Sequence, residues 1–134
     1  MHGNIKGSEL PSVLALSYIG DAYYSLYVRR MLVERGLSKT KELNIASLEY
    51  VPAAKQAEMF RRIKEHLCED ELDVARRASN STHLNPPKHA KIADYRAATG
   101  FEAVLGMLYY INDNERLREL LTLAHSEDEN DTEN

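Results

Sequence analysis

The chain has 134 residues, of which 43% are hydrophobic and 28% charged, a composition typical of one soluble globular domain. No apolar run approaches the roughly 18 residues that a membrane-spanning helix needs, and the first residues lack the apolar stretch of a secretory signal. The single cysteine, Cys68, excludes an internal disulfide and a zinc site built from several cysteines. We therefore expect a cytoplasmic protein with no membrane partner.

The formal net charge of −4 is unevenly distributed along the chain. The C-terminal segment 126–134 holds five acidic residues and no basic one, so the rest of the chain has 17 basic residues against 16 acidic ones. Between Arg76 and Arg96 there are five basic residues and one acidic residue. The net charge therefore does not exclude a nucleic-acid partner, because an acidic tail masks a local basic region.

Hydrophobic residues recur with the helical period, and no segment shows the sustained alternation of a strand. The first predicted helix runs from about Glu9 to Arg35. Ser8 is its predicted N-cap, Pro11 is tolerated in its first turn, and Gly36 is its predicted stop.

Three shorter helices are predicted next. The second begins near Thr40 and does not extend past Pro52, because proline lacks the amide that a helix interior needs. The third continues to about Leu67. The fourth, from about Asp70 to Ser79, begins with acidic residues and ends with basic ones, as the helix dipole favours.

A loop is predicted over Asn80–His89, because the pair Pro86–Pro87 and its surroundings disfavour a helix. The fifth helix runs from about Lys91 to Ile111. Asp113 is the predicted cap of a last helix that ends near His125.

The sequence thus predicts an all-α fold of about six helices. We see no internal repeat and no second domain, so residues 1–125 form one predicted domain. Residues 126–134 form a predicted disordered tail, because a solvated acidic run cannot bury apolar surface.

Two acidic residues, Asp21 and Glu102, interrupt otherwise apolar helix faces. No lysine or arginine occupies the helical neighbours of Asp21 at three, four and seven residues. Burying an unpaired carboxylate costs several kcal/mol. Either each acid bonds a tyrosine hydroxyl or lies at the rim of the core, or both converge on a divalent cation. Mg²⁺ prefers oxygen ligands, and it can activate water against a phosphodiester.

The sequence segments around these two acids carry a more specific signal than the acids alone. Gly20 costs about 1 kcal/mol relative to alanine inside a helix, so it indicates a close helix contact. The segments Leu16–Tyr24 (LSYIGDAYY) and Tyr95–Gly106 (YRAATGFEAVLG) resemble the two catalytic helices of the ribonuclease III endonuclease domain. The similarity is closest to Mini-ribonuclease III, the compact bacterial branch without a double-stranded-RNA-binding domain, and it extends from about Leu14 to Leu121. Further matches are Val51, Ala53, Gln56, Ala57, Arg76, Arg77, Asn80, Pro87, Lys88 and the segment 115–119.

This resemblance implies the all-α ribonuclease III fold, working as a homodimer whose first helix supplies much of the contact. It implies that Asp21 and Glu102 are the catalytic residues and the ligands of Mg²⁺, for which Mn²⁺ can substitute. The implied reaction is hydrolysis of double-stranded RNA to 5′-phosphate and 3′-hydroxyl ends. The substrate implied by the branch is precursor 23S ribosomal RNA, with a ribosomal protein as a helper.

The sequence lacks some acidic residues of the full-length ribonuclease III pattern. That pattern has further acids at the positions of Leu14, Ser17 and Thr99. The Mini-ribonuclease III branch also has fewer acids than the full-length pattern. Ser17 and Thr99 either offer hydroxyls to the waters around the ion or are small polar spacers at a helix contact. Because these acids are missing, a module that binds structured RNA without cleaving it is an alternative interpretation. A helical adaptor that dimerises and binds protein is a third interpretation.

The region around the predicted loop is the candidate RNA-binding element. Duplex RNA is recognised mainly through its shape, phosphates and 2′-hydroxyls. An ordinary solvated loop is the alternative for this segment, and Arg96 is expected to pair with an acid in a structural role. The predicted RNA-binding residues are Arg76, Arg77, Asn80, Lys88 and Lys91.

Overall fold

The computed structural model describes residues 10–126, which fold into six α-helices and contain no strand. This confirms the predicted all-α fold. Ser8 and all of the predicted tail except Ser126 lie outside the described residues. No helix in the described part is long and apolar enough to cross a membrane. The helices are α1 (Val13–Glu34), α2 (Thr40–Ser47), α3 (Ala53–Ile63), α4 (Glu69–Ser79), α5 (Ile92–Tyr110) and α6 (Asn114–Ala124), with a 3₁₀ turn (Lys64–His66) after α3.

The start of α1 differs from the prediction. The helix begins at Val13, and Ser12 is the N-cap, because its hydroxyl oxygen accepts a hydrogen bond from the amide of Ala15 at 3.2 Å. The predicted start at Glu9 was therefore wrong, and Pro11 precedes the helix. The predicted stop is confirmed, since Gly36 has a φ of +101°, the left-handed conformation that favours glycine after a helix.

The helix at the centre of the fold is α5. Most of its side chains are buried, and α1, α3 and α4 pack against it. Phe101, Leu105 and Leu108 have no exposed surface, so the core follows this helix. A residue on α5 can therefore contact residues from three other helices.

Two glycines let α1 and α5 cross with their backbones in contact. A Cβ on Gly20 would lie 1.7 Å from the carbonyl oxygen of Glu102, and one on Gly106 would lie 1.8 Å from that of Leu16. Neither approach leaves room for a side chain. This confirms the close helix contact predicted from Gly20, and it places Asp21 beside Glu102.

Arg96 joins α5 to the end of α4. Its guanidinium donates a hydrogen bond to the carbonyl oxygen of Ser79 at 2.8 Å, and the Ser79 hydroxyl donates to the carbonyl of Arg96 at 2.9 Å. The expected pairing of Arg96 with an acid was wrong. The last carbonyls of a helix have no intrahelical partner, and Arg96 satisfies one of them at the end of α4.

Candidate active site

Asp21 and Glu102 line one cleft of about 290 Å³ between α1, α5 and the loop that follows α4. The same cleft brings in Ser17 and Thr99, so four of the predicted site residues lie together. The loop contributes three lining residues, His83, Leu84 and Asn85, that were not predicted from the sequence to belong to the active site. The remaining lining residues are Leu14, Tyr18 and Tyr95.

Asp21 acts electrostatically on Glu102 in this cleft. Burial, followed by the hydrogen bond and negative charge of Asp21, raises the pKa of Glu102 to about 9. The Gln56 amide lowers this pKa, and no lysine or arginine is among the groups that shift it. Among the described residues, the charged group that acts on Glu102 is therefore a second acid and not a basic counterion.

Ser17 and Thr99 are both buried where α1 crosses α5. The Ser17 hydroxyl donates to the carbonyl oxygen of Thr99 at 3.2 Å, and the Thr99 hydroxyl donates to that of Tyr95 at 2.8 Å. Their protons are thus used by backbone carbonyls, which supports the role of polar spacers at a helix contact. Their contact with the waters around an ion stays a prediction.

None of the five predicted RNA-binding residues lines the cleft. Arg76 and Arg77 are exposed on α4, and both pair with Asp73 at 3.4 and 3.1 Å. Asn80, Lys88 and Lys91 are exposed at the two ends of the loop segment. The basic residues nevertheless lie near the acids along the chain, because they flank a loop whose middle part lines the cleft.

Gln56 on α3 is a neighbour of the acids whose role the sequence reasoning missed. Only 4% of its surface is exposed, and its Nε2 donates to the carbonyl oxygen of Val51 at 2.8 Å. Its Oε1 is buried without a hydrogen-bond partner among the described residues. The visible signal was a polar residue on the inner face of α3, but its effect on the pKa of Glu102 depends on how α3 packs against α5.

The donor set fits a divalent cation that keeps much of its hydration. Within residues 10–126, no group of three or more His, Cys, Asp or Glu side chains is arranged to hold a metal ion. Mg²⁺ is commonly bound through only one or two carboxylates and retains several waters. Two carboxylates that line one cleft match that chemistry.

Comparison with known proteins agrees with this geometry. The ribonuclease III domain model matches residues 14–113, which contain both acids. A protein named Mini-ribonuclease 3 from Symbiobacterium thermophilum is 43% identical over 83% of this chain and 85% of its own length. One from Thermoanaerobacter is 42% identical over 84% of this chain and 80% of its own. The chain belongs to the ribonuclease III family, in its Mini-ribonuclease III branch.

The fold of this ribonuclease III domain is also found in a solved structure. A protein of Fusobacterium nucleatum whose crystal structure is known aligns with a TM-score of 0.80 at 25% identity, over 90% of this chain and 93% of that one. The resemblance read from the two motifs is therefore confirmed for both family and fold. In this ribonuclease III domain, the Gly-Asp motif lies on α1 and the Phe-Glu-Ala motif on α5.

Proposed function

We propose that this chain is a divalent-metal-dependent endoribonuclease in which Asp21 and Glu102 bind the metal and cleave double-stranded RNA. Endoribonuclease activity follows from membership of the ribonuclease III family. The observation that carries the proposal for the site is the meeting of these two acids, from α1 and α5, in one cleft. The products are RNA ends with a 5′-phosphate and a 3′-hydroxyl.

Mg²⁺ is the proposed ion, with Mn²⁺ as a substitute. When bound, it supplies Lewis acidity and activates water for attack on the phosphodiester. Glu102 gives up its proton when the ion is taken up, because burial and Asp21 hold its pKa near 9 in the protein alone. Asp21 lies exposed at the rim of the cleft, where it is accessible to both metal and RNA.

The RNA is proposed to lie across the cleft and the loop beside it. Cationic side chains at the ends of the loop contact phosphates, while the loop itself lies beside the acids. Precursor 23S ribosomal RNA is the proposed substrate and a ribosomal protein the proposed helper, as the branch implies. The proposed RNA contacts are Arg76, Arg77, Asn80, Lys88 and Lys91.

A homodimer is proposed because α1 carries a second apolar face that the described fold leaves exposed. Tyr18 is 82% exposed and Leu26 is 65% exposed. Together with Ile19, Ala22 and Tyr23 they form a stripe at helical spacing along a groove of about 290 Å³. Tyr18 borders both this groove and the acid cleft, so a second copy on the stripe would lie beside the active site.

The decisive assay is cleavage of a long RNA duplex by the full chain. The wild-type protein is expected to cleave with Mg²⁺ and not with EDTA, and Asp21→Asn is expected to lose at least about 100-fold in rate, since metal-assisted charge stabilisation is worth several kcal/mol. Glu34→Gln, an exposed acid on the same helix, is the matched control and should retain full activity.

Equal cleavage by wild type and Asp21→Asn would refute the assignment of the site. Binding of the duplex with no cleavage under any metal condition would instead support the alternative of a structured-RNA-binding module. Absence of RNA affinity even at low salt, where phosphate contacts are strongest, would favour the protein-binding adaptor.

A further inference from the structure

The acid cleft is lined partly by helix residues and partly by the loop after α4. Asp21 and Glu102 come from α1 and α5, whereas His83 and Asn85 come from the loop. No lysine or arginine of the described chain lines the cleft. A phosphate group carries the same sign of charge as the two carboxylates. A phosphodiester that reacts here therefore needs hydrogen-bond donors from other lining residues.

Few donors in the lining are available to a bound molecule. The hydroxyl protons of Ser17 and Thr99 are taken by backbone carbonyls. On the helices, only two tyrosine hydroxyls remain. The loop adds an imidazole and an amide, neither of which has a hydrogen-bond partner among the described residues. The available side-chain donors are thus those of Tyr18, Tyr95, His83 and Asn85.

The loop fixes the backbone of His83 but not that of Asn85. The His83 amide donates to the Ser81 hydroxyl at 3.2 Å, and the Ser81 amide donates to the carbonyl oxygen of Ala78 at 3.3 Å. This turn continues directly from the end of α4, which two hydrogen bonds join to α5. No hydrogen bond of Asn85 is found within residues 10–126. His83 is therefore the loop donor with a defined position relative to the site acids.

The His83 side chain suits a phosphate oxygen better than a metal ion. A histidine ring carries at least one N–H whether it is charged or neutral, so the donor does not depend on its ionisation. The side chain is exposed in the cleft lining. It does not complete a three-ligand metal group with the two acids, because no such group exists in the described part of the chain.

We propose that His83 is a catalytic residue, whose imidazole N–H donates a hydrogen bond to the phosphodiester that is cleaved. This inference rests on the proposed function, since it concerns the same cleft. Negative charge builds up on the phosphate oxygens as water attacks, and a fixed donor stabilises that charge more than the charge of the ground state. No proton moves to or from His83, so the contact acts on the rate at saturating RNA.

The test is the steady-state cleavage of a long RNA duplex by the full chain. His83→Leu removes the ring N–H, and we expect it to lower kcat by at least about 100-fold with KM within about threefold, as for other donors that face a reacting oxyanion. His83→Gln places an amide N–H near the position of Nε2 and is expected to recover part of this loss. His66→Leu changes an exposed histidine outside the cleft, so it is the matched control and should stay within about twofold of wild type.

Titration with Mn²⁺ alone separates a phosphate contact from a metal ligand. His83→Leu should bind Mn²⁺ within about twofold of wild type, and a loss of tenfold or more would overturn the inference. A kcat of His83→Leu within about tenfold of wild type, or a loss confined to KM, would also overturn it and leave the proposed function intact. Absence of cleavage by the wild-type protein in Mg²⁺ and in Mn²⁺ would overturn both.

Discussion

Near neutral pH we expect Glu102 to be protonated in the folded, metal-free protein and ionised in the unfolded chain. Its pKa is about 9 when folded, against an ordinary value of 4.5. Between these values the native state binds more protons than the unfolded state, so the free energy of unfolding falls as pH rises. We expect urea unfolding in EDTA to show lower stability at pH 8.5 than at pH 5.5, and Glu102→Gln to remove most of that decrease.

The exposed acid Glu34 is the control for this measurement. Glu34→Gln should leave the pH dependence unchanged, because this acid lies on the surface of α1 in an ion pair with Arg30. The same dependence of stability on pH in wild type and in Glu102→Gln would contradict the assignment of the raised pKa to Glu102.

Gly20 is required for the close approach of the α1 and α5 backbones. A methyl group at this position would lie 1.7 Å from the carbonyl oxygen of Glu102. Since backbone on both sides resists movement, we expect Gly20→Ala to lower the free energy of unfolding by about 3 kcal/mol, the upper end of ordinary overpacking. Urea denaturation measures this directly.

Gly36 provides the comparison. It needs its positive φ, but a Cβ there would meet nothing within 4 Å. Asparagine tolerates this conformation, so Gly36→Asn should cost less than about 1 kcal/mol. If Gly20→Ala is as stable as Gly36→Asn, the two helices are not in backbone contact at this crossing.

At the scale of the elements, a buried ion pair joins α6 to α4. Arg116 donates to both oxygens of Glu71 at 2.8 and 2.9 Å and to the carbonyl oxygen of His66 at 2.7 Å. Glu71 is fully buried and also accepts from the amide of Cys68 at the start of α4. Glu71→Leu alone leaves the buried Arg116 guanidinium with only Glu119, an exposed acid on its own helix, as its ionic partner. We therefore expect a loss of about 3 kcal/mol, the lower end for breaking a buried pair.

A double-mutant cycle tests this coupling. Glu71→Leu combined with Arg116→Met removes both charges, and it should be less destabilised in urea than the sum of the two single variants by at least about 1 kcal/mol. Additive losses would show that the two side chains act independently.

The helices, the two acids and the close helix contact at Gly20 were predicted from local signals, whereas the other contacts between helices were not. The stop at Gly36 and the cap at Asp113 follow from residue chemistry within one turn, and both were predicted. The N-cap of α1 was misplaced because two serines, Ser8 and Ser12, lie close together and both suit an N-cap. The effect of Gln56 on the pKa of Glu102 depends on the packing of α3 against α5, which no local spacing encodes.

The loop after α4 allows a prediction about RNA affinity. In an Asp21→Asn background that prevents cleavage, each of Lys88→Ala and Lys91→Ala should reduce the slope of log affinity against log salt by about 1, because each lysine releases counterions from phosphate. Filter binding of a long duplex over a salt series measures the slope. Lys39→Ala and Lys41→Ala, exposed at the start of α2, are the controls and should leave it unchanged; equal effects of all four would mean that the loop has no special contact with RNA.

At the scale of the whole molecule, the exposed stripe on α1 is the proposed surface of the homodimer. Leu26 is 65% exposed and lies on the side of the groove away from Asp21, so a charge there disturbs neither the core nor the cleft. In a two-fold symmetric dimer each substitution acts twice, and burying one leucine contributes about 1.5–3 kcal/mol. Leu26→Glu is therefore expected to weaken the dimer by at least about 100-fold.

Sedimentation velocity at micromolar concentration measures this change. The wild type should sediment at the mass of two chains, and Leu26→Glu at the mass of one with unchanged helix content by circular dichroism. Leu48→Glu, an equally exposed leucine after α2, is the matched control and should remain dimeric. Because Tyr18 borders both the stripe and the cleft, the monomeric variant should also cleave RNA more slowly. A Leu26→Glu protein that stays dimeric would place the interface on another face and would separate assembly from the active site.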